Sequence, residues 1–132
     1  EAEFRARILA YAPEPGRPPR QAFGDLMRLA FSLWKTQPIL GGVGREEYAA
    51  LLRAVPEDKV RAHLRSDDDF VAALIARWRE LGVDIEVDPK QVAGLMSALF
   101  VVSLHEGDFG PGVYPDTMGL LIDLVAGHLV GP

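Results

Sequence analysis

Residues 101–130 read VVSLHEGDFGPGVYPDTMGLLIDLVAGHLV, in which two strongly apolar stretches flank the connector EGDFGPGVYP at residues 106–115. The full apolar stretches, residues 92–104 and 118–129, contain few polar side chains: Ser97, Ser103, Asp123 and His128. A surface helix of a small monomeric protein normally carries a wide polar face. The two stretches therefore predict helices whose apolar faces extend further than one small domain can cover.

The simplest way to cover these faces is a second copy of the chain. Each exposed leucine or valine forgoes roughly 1.5–3 kcal/mol of burial, and several of them exceed the margin of a small domain. We expect a two-fold dimer in which both helices of each chain form a four-helix bundle. The alternative is a buried hairpin in a monomer. The expected interface residues are Gly94, Ala98, Val101, His105, Leu121, Leu124 and His128.

Helical periodicity and helix-ending residues cover most of the remaining chain. We predict helices at residues 2–10, 21–37, 45–54, 89–106 and 115–130. A further helix begins at Pro56 and either runs to Leu81 or breaks near Ser66, which could cap a second helix. Residues 83–90, VDIEVDPK, alternate but have no partner strand, so we interpret them as an extended loop. The predicted fold class is all-α, a single domain with six or seven helices.

Composition excludes several classes of function. The chain has 132 residues, enough for one domain with a core, and a net charge of −5, which opposes non-specific nucleic-acid binding. It contains no cysteine for disulfides or thiolate metal sites. No apolar run reaches the roughly 20 residues that span a bilayer, and no signal peptide opens the chain. Because the chain starts without methionine, we expect a segment to be missing upstream.

Three segments resemble the C-terminal regulatory domain of TetR-family transcriptional regulators. They read FSLWKTQPIL at residues 31–40, LLRAVPEDKVRAHLRSDDDFVAALIARWRELG at 51–82, and HEGDFGPGVYPDTMGLLIDLVAGHLV at 105–130. The resemblance covers nearly the whole chain, and EAEFRARILA at residues 1–10 would match the helix that links a DNA-binding head to the body. It implies a cytoplasmic homodimer that contacts DNA only through an upstream helix-turn-helix, which this chain lacks.

The resemblance also implies an effector pocket between the middle helices, and large apolar residues suit such a pocket. The alternative is that these residues only form the core, which is the usual place for them. His105 and Arg28 are further polar candidates. The expected ligand-binding residues are Phe31, Trp34, Phe70, Leu74, Trp78, Met96, Phe100 and Ser103.

The implied mechanism is a population shift. An apolar or aromatic small molecule would favour one helix arrangement and change the separation of two DNA-binding heads, whose recognition helices must lie about 34 Å apart. The alternative function is a helical dimerisation or protein-interaction module without a ligand. We expect no enzymatic activity and no cofactor, because the chain has no cysteine nucleophile, phosphate loop or nucleophile elbow. We also expect no metal, because helix capping accounts for the aspartates near His63.

Overall fold

The computed structural model describes residues 2–35, 49–50 and 53–131. In this part of the chain the α-helices are α1 (Ala2–Ala10), α2 (Pro19–Lys35), α3 (Glu57–Glu80), α4 (Pro89–Leu104) and α5 (Val113–Leu129), with a 3-10 turn at Glu106–Asp108. Residues 49–50 and 53–54 are also helical. The all-α prediction is therefore confirmed. The remainder of the predicted helix 45–54 lies outside the described residues, as does the predicted end of α2 at Gln37.

Helix α3 runs without a break through Ser66. Of the two alternatives at this point, the single long helix is correct. The hydroxyl of Ser66 does not cap a new helix, because it accepts a hydrogen bond of 2.6 Å from Nη1 of Arg5 in α1. The neighbouring Asp67 accepts from Nη2 of the same arginine at 2.6 Å. The polar residues of this run therefore lie on a helix face and tie α1 to α3.

Glycine ends α3. Gly82 has a φ of +90°, a left-handed conformation that glycine adopts without steric cost. Its N–H donates to the carbonyl of Arg79 at 3.0 Å, and the N–H of Val83 donates to the carbonyl of Trp78 at 3.1 Å. These two bonds form a Schellman motif, which satisfies carbonyls that the helix end would otherwise leave open.

Residues 83–88 form the predicted extended loop, and its partner is the C-terminus. Ile85 makes an isolated antiparallel bridge with Val130, and the N–H of Gly131 donates to the carbonyl of Asp84 at 2.8 Å. The loop leads into α4, where the side chain of Asp88 accepts from the N–H of Lys90 at 2.9 Å. The cap and the proline that follows it are the usual start of an α-helix.

The boundaries of the C-terminal hairpin differ slightly from the prediction. Helix α4 ends at Leu104 instead of residue 106, because Glu106–Asp108 form the 3-10 turn. Helix α5 begins at Val113, two residues before Pro115, directly after Gly112 with its φ of +75°. Pro115 thus lies in the first turn, where its missing N–H leaves no intrahelical bond unmade.

The core lies between α2 and α5 on one side and α3 and α4 on the other, and α4 and α5 also pack on each other. Helix α1 contacts both α2 and α3. Every one of these helices supplies core side chains. Representative buried residues are Ile8, Phe23, Ile75, Trp78, Leu99 and Ile122. Within the described ranges, no helix combines the length and the apolarity that crossing a bilayer requires.

Candidate functional site

Three aromatic side chains meet where α1, α2 and α4 converge. We call Phe4, Trp34 and Phe100 the Trp34 cluster. The ring of Trp34 is edge-on to Phe100, with the centroids 4.5 Å apart, and edge-on to Phe4 at 6.4 Å. Each aromatic pair of this kind contributes about 0.5–1.5 kcal/mol beyond the area that it buries. All three side chains are only half-buried, so the cluster is an apolar surface at a three-helix junction.

Further predicted ligand-binding residues lie beside this cluster. Phe31 is three residues before Trp34, and Met96 is four residues before Phe100, so each shares a helix face with its partner. Both are half-buried against the core. Ser103 lies one turn beyond Phe100, and its hydroxyl donates to the Phe100 carbonyl at 2.6 Å. Five of the eight predicted ligand-binding residues are thus in this region of α2 and α4.

Trp78 and Leu74 belong to a different environment. Trp78 is fully buried, with an exposed fraction of 0%. Its ring stacks on Tyr11 at 6.3 Å and meets Phe23 edge-on at 5.2 Å. The indole N–H has no hydrogen-bond partner among the described residues. A buried unpaired donor costs about 1–3 kcal/mol. Trp78 therefore stabilises the core through its ring contacts, while its unpaired N–H opposes that stabilisation.

Phe70, the eighth predicted ligand-binding residue, faces α1. The guanidinium carbon of Arg5 lies 5.3 Å from the centre of the Phe70 ring, a cation–π distance. The predicted set therefore occupies three places: the Trp34 cluster and its flanks, the core around Trp78, and the Arg5 contact. That these residues line one open pocket stays a prediction.

An open cleft of about 430 Å³ lies elsewhere, between the 83–88 loop and the C-terminus. Arg20 borders it and donates from Nε to the carbonyl of Val130 at 2.8 Å. None of the eight predicted ligand-binding residues is among those described around this cleft, although His128 is. Sequence reasoning missed the cleft because it depends on the pairing of Ile85 with Val130, and no local pattern marks that pairing.

The outward side of the α4–α5 hairpin is apolar. Exposed fractions are 50% for Val101 and 61% for both Leu120 and Leu124. We call the surface formed by Val101, Leu120 and Leu124 the outward face. Three further predicted interface residues are also exposed: Gly94, Ala98 and His128.

Two predicted interface residues are placed differently. Leu121 is half-buried against the core, and His105 is half-buried with its Nδ1 2.8 Å from Oδ2 of Asp108. Leu120, which the prediction omitted, is exposed instead of Leu121. The four-residue spacing of Leu120 and Leu124 is the signal that identifies both as one helix stripe.

The polar candidate Arg28 has partners on α5 in the structure. Arg28 donates to Asp123 at 2.8 Å and to the Gly119 carbonyl at 3.3 Å, which joins α2 to α5. The side chain of His63 lies outside the described side chains. Among the residues that the structure describes, no three His, Cys, Asp or Glu side chains are grouped so as to hold a metal ion.

No family model matches the chain, and no curated protein and no solved structure matches it either. The likeness to TetR regulatory domains therefore stays a hypothesis from sequence. The candidate site consists of the Trp34 cluster and the outward face.

Proposed function

We propose that the chain is the effector-sensing and dimerisation domain of a TetR-like transcriptional regulator. The observation that carries the proposal is the outward face of α4 and α5. Leu120 and Leu124 each have an exposed fraction of 61%, although the opposite side of their helix supplies core residues. Leaving such side chains in water forgoes roughly 1.5–3 kcal/mol each. A partner that covers them recovers this free energy. A second copy of the chain carries the same apolar hairpin and can be that partner.

The shape of the outward face suits two-fold pairing. Two α4–α5 hairpins facing each other make a four-helix bundle in which each hairpin presents the same surface to the other, and α4 of one can pack on α5 of the other. Gly94 and Ala98 are exposed on α4, and small side chains permit helices to approach closely. Val101 follows on the same stripe. The pairing thus brings small residues of one hairpin against the larger leucines of the other.

A matched pair of variants tests the dimer. Leu124→Arg places a charge in the proposed interface, and burying an unpaired charge is costly. We expect this variant to be monomeric in size-exclusion chromatography with light scattering. Leu81→Arg is the control, because Leu81 is also exposed, at 47%, but lies at the end of α3. A Leu124→Arg variant that keeps the mass of a dimer contradicts the proposed interface.

The Trp34 cluster supports the sensor part of the proposal. It joins α1, which the TetR resemblance assigns as the link to a DNA-binding head, to α2 and α4 in the body. An apolar or aromatic effector that binds better to one arrangement of these helices shifts the population towards that arrangement. The position of α1 then sets the separation of the two heads. DNA contacts belong to an upstream segment and to no residue of this chain.

Tryptophan fluorescence separates the sensor from the alternative, a dimerisation or interaction module without a ligand. We expect at least one compound in a panel of apolar and aromatic molecules to quench the fluorescence saturably. The signal should persist in Trp78→Phe and disappear in Trp34→Phe, because Trp34 lies at the half-buried cluster. A panel without any saturable change contradicts the sensor function and favours the module without a ligand.

A further inference from the structure

Two consecutive side chains hold the first turn of α1 on the body. The ring of Phe4 lies edge-on to Trp34, with the centroids 6.4 Å apart. Arg5 reaches the other way, to α3, where it forms an ion pair of 2.6 Å with Asp67 and a hydrogen bond of 2.6 Å with Ser66. Phe4 thus covers one side of Trp34, while Arg5 fixes the turn that carries Phe4.

The rest of α1 contributes little to holding this turn. The helix has nine residues, fewer than an isolated helix needs to be stable in water. Glu3, Ala6 and Arg7 are exposed, and the buried anchor Ile8 lies in the second half of the helix. The first turn can therefore open while Ile8 stays in place, because helix ends open locally at low cost.

The Arg5 contact has intermediate strength. The exposed fractions of the two side chains are 22% for Arg5 and 44% for Asp67, so water and salt screen the pair in part. The stack of Arg5 on Phe70 adds a further contact on the same helix.

We propose that the first turn of α1 is a strap over the Trp34 cluster, closed by Arg5, and that a neutral aromatic effector reaches Trp34 and Phe100 by displacing Phe4. This inference rests on the proposed sensor function. The aromatic ring of the effector takes the edge-on position that Phe4 holds against Trp34. The displaced turn is part of α1, so binding and movement of the linking helix are one event.

The first experiment measures strap opening without any effector. Arg5→Gln removes the ion pair, and we expect about a fivefold larger opened fraction, as loss of a partly exposed pair with its hydrogen bond implies. Two readouts report it. One is hydrogen exchange of the amides of residues 6–9, which bond to the carbonyls of the first turn. The other is acrylamide quenching of Trp34 in a Trp78→Phe background. If Trp78→Phe fails to fold, hydrogen exchange in the otherwise unchanged chain gives the same comparison.

Matched controls separate the strap from a general loss of charge. Arg7→Gln is the control for Arg5→Gln, because Arg7 is an exposed residue of the same helix. Asp67→Asn removes the other partner of the ion pair. Its control is Asp68→Asn, at the exposed neighbouring position of α3. We expect both controls to behave like the unmodified chain. The double variant of Arg5→Gln and Asp67→Asn should open no more than Arg5→Gln alone, because Arg5→Gln already removes the ion pair with Asp67. Equal opening in Arg5→Gln and Arg7→Gln overturns the strap.

The second experiment uses the neutral aromatic dye Nile red as the probe. We expect saturable binding that is about fivefold faster in Arg5→Gln than in Arg7→Gln, in proportion to the opened fraction. Saturable binding at equal rates in the two variants overturns the strap and leaves the sensor proposal standing. Absence of saturable binding in every variant contradicts the sensor proposal and, with it, the entry route. The acrylamide result then decides whether Arg5 closes the turn at all.

Discussion

Trp78 is the largest of the fully buried side chains, and its environment makes a prediction at the scale of one residue. Its ring contacts with Tyr11 and Phe23 stabilise the fold, while its unpartnered N–H destabilises it. Trp78→Phe keeps a ring and removes the N–H, so we expect a cost below about 1.5 kcal/mol. Trp78→Ala should cost about 3–5 kcal/mol, because it opens a cavity. Urea unfolding measures both values, and a phenylalanine variant as unstable as the alanine variant would contradict the expectation that a phenylalanine ring keeps most of the packing at this position.

Tyr114 gives a prediction about pH. Burial raises the pKa of Tyr114 above the ordinary value of 10.0, and the negative charge of Glu106 raises it further. The folded state therefore holds the phenol proton to a higher pH than the unfolded state does. The resulting stability is complete below the unfolded pKa and is lost as the pH rises through the folded pKa.

The urea midpoint should accordingly begin to fall once the pH exceeds about 10, and it should fall less steeply in Tyr114→Phe. Tyr11, whose pKa is also raised, chiefly by burial, accounts for part of the remaining slope. Identical slopes in Tyr114→Phe and the unmodified chain would contradict a role for this phenol.

At the scale of single elements, the start of α4 makes the clearest prediction. The carboxylate of Asp88 accepts from the N–H of Lys90 at 2.9 Å, and loss of such a cap typically costs about 1 kcal/mol. We expect Asp88→Ala to lower the free energy of unfolding by that amount. Glu86→Ala, an exposed acidic residue of the same loop, is the control and should change it by less than about 0.5 kcal/mol. Equal effects would mean that charge, and not capping, matters here.

Helix ends were predictable where the signals are local. The Asp88 cap and the Gly82 stop depend on hydrogen bonds between residues a few positions apart, and the sequence displays both. The proposed break at Ser66 had an equally good local signal. The helix nevertheless continues through Ser66, and the Ser66 hydroxyl bonds to Arg5, 61 residues away in sequence. The bridge of Ile85 with Val130 is of the same long-range kind.

The candidate site was predictable in its residue types and not in its grouping. Trp34, Phe100 and Trp78 were all identified as large, apolar and inward-facing. The packing of the helices decides that Trp34 and Phe100 are half-buried and that Trp78 lies in the core. Phe4, which completes the cluster, is not among the predicted ligand-binding residues. The choice of Leu121 over Leu120 depended on the rotation of α5, which its nearly uniform apolar sequence does not indicate.

At the scale of the whole molecule, the exposed apolar residues are concentrated on the C-terminal hairpin, at Val101, Val113, Leu120 and Leu124. The charged contacts described between helices join α1 to α3 and α2 to α5. The second of them uses Asp123, the neighbour of Leu124 on the hairpin. The apolar side chains of the hairpin are the surface that the proposed dimer would bury.

Sedimentation equilibrium of the unmodified chain over a range of micromolar concentrations tests the central claim most directly. One chain has a mass of 14.4 kDa, and we predict the mass of two chains throughout this range. An obligate pair typically buries more than about 2,000 Å², and such a dimer does not dissociate at micromolar concentration. A stable species with the mass of one chain at every concentration would contradict the dimer and remove the main support for the proposed function.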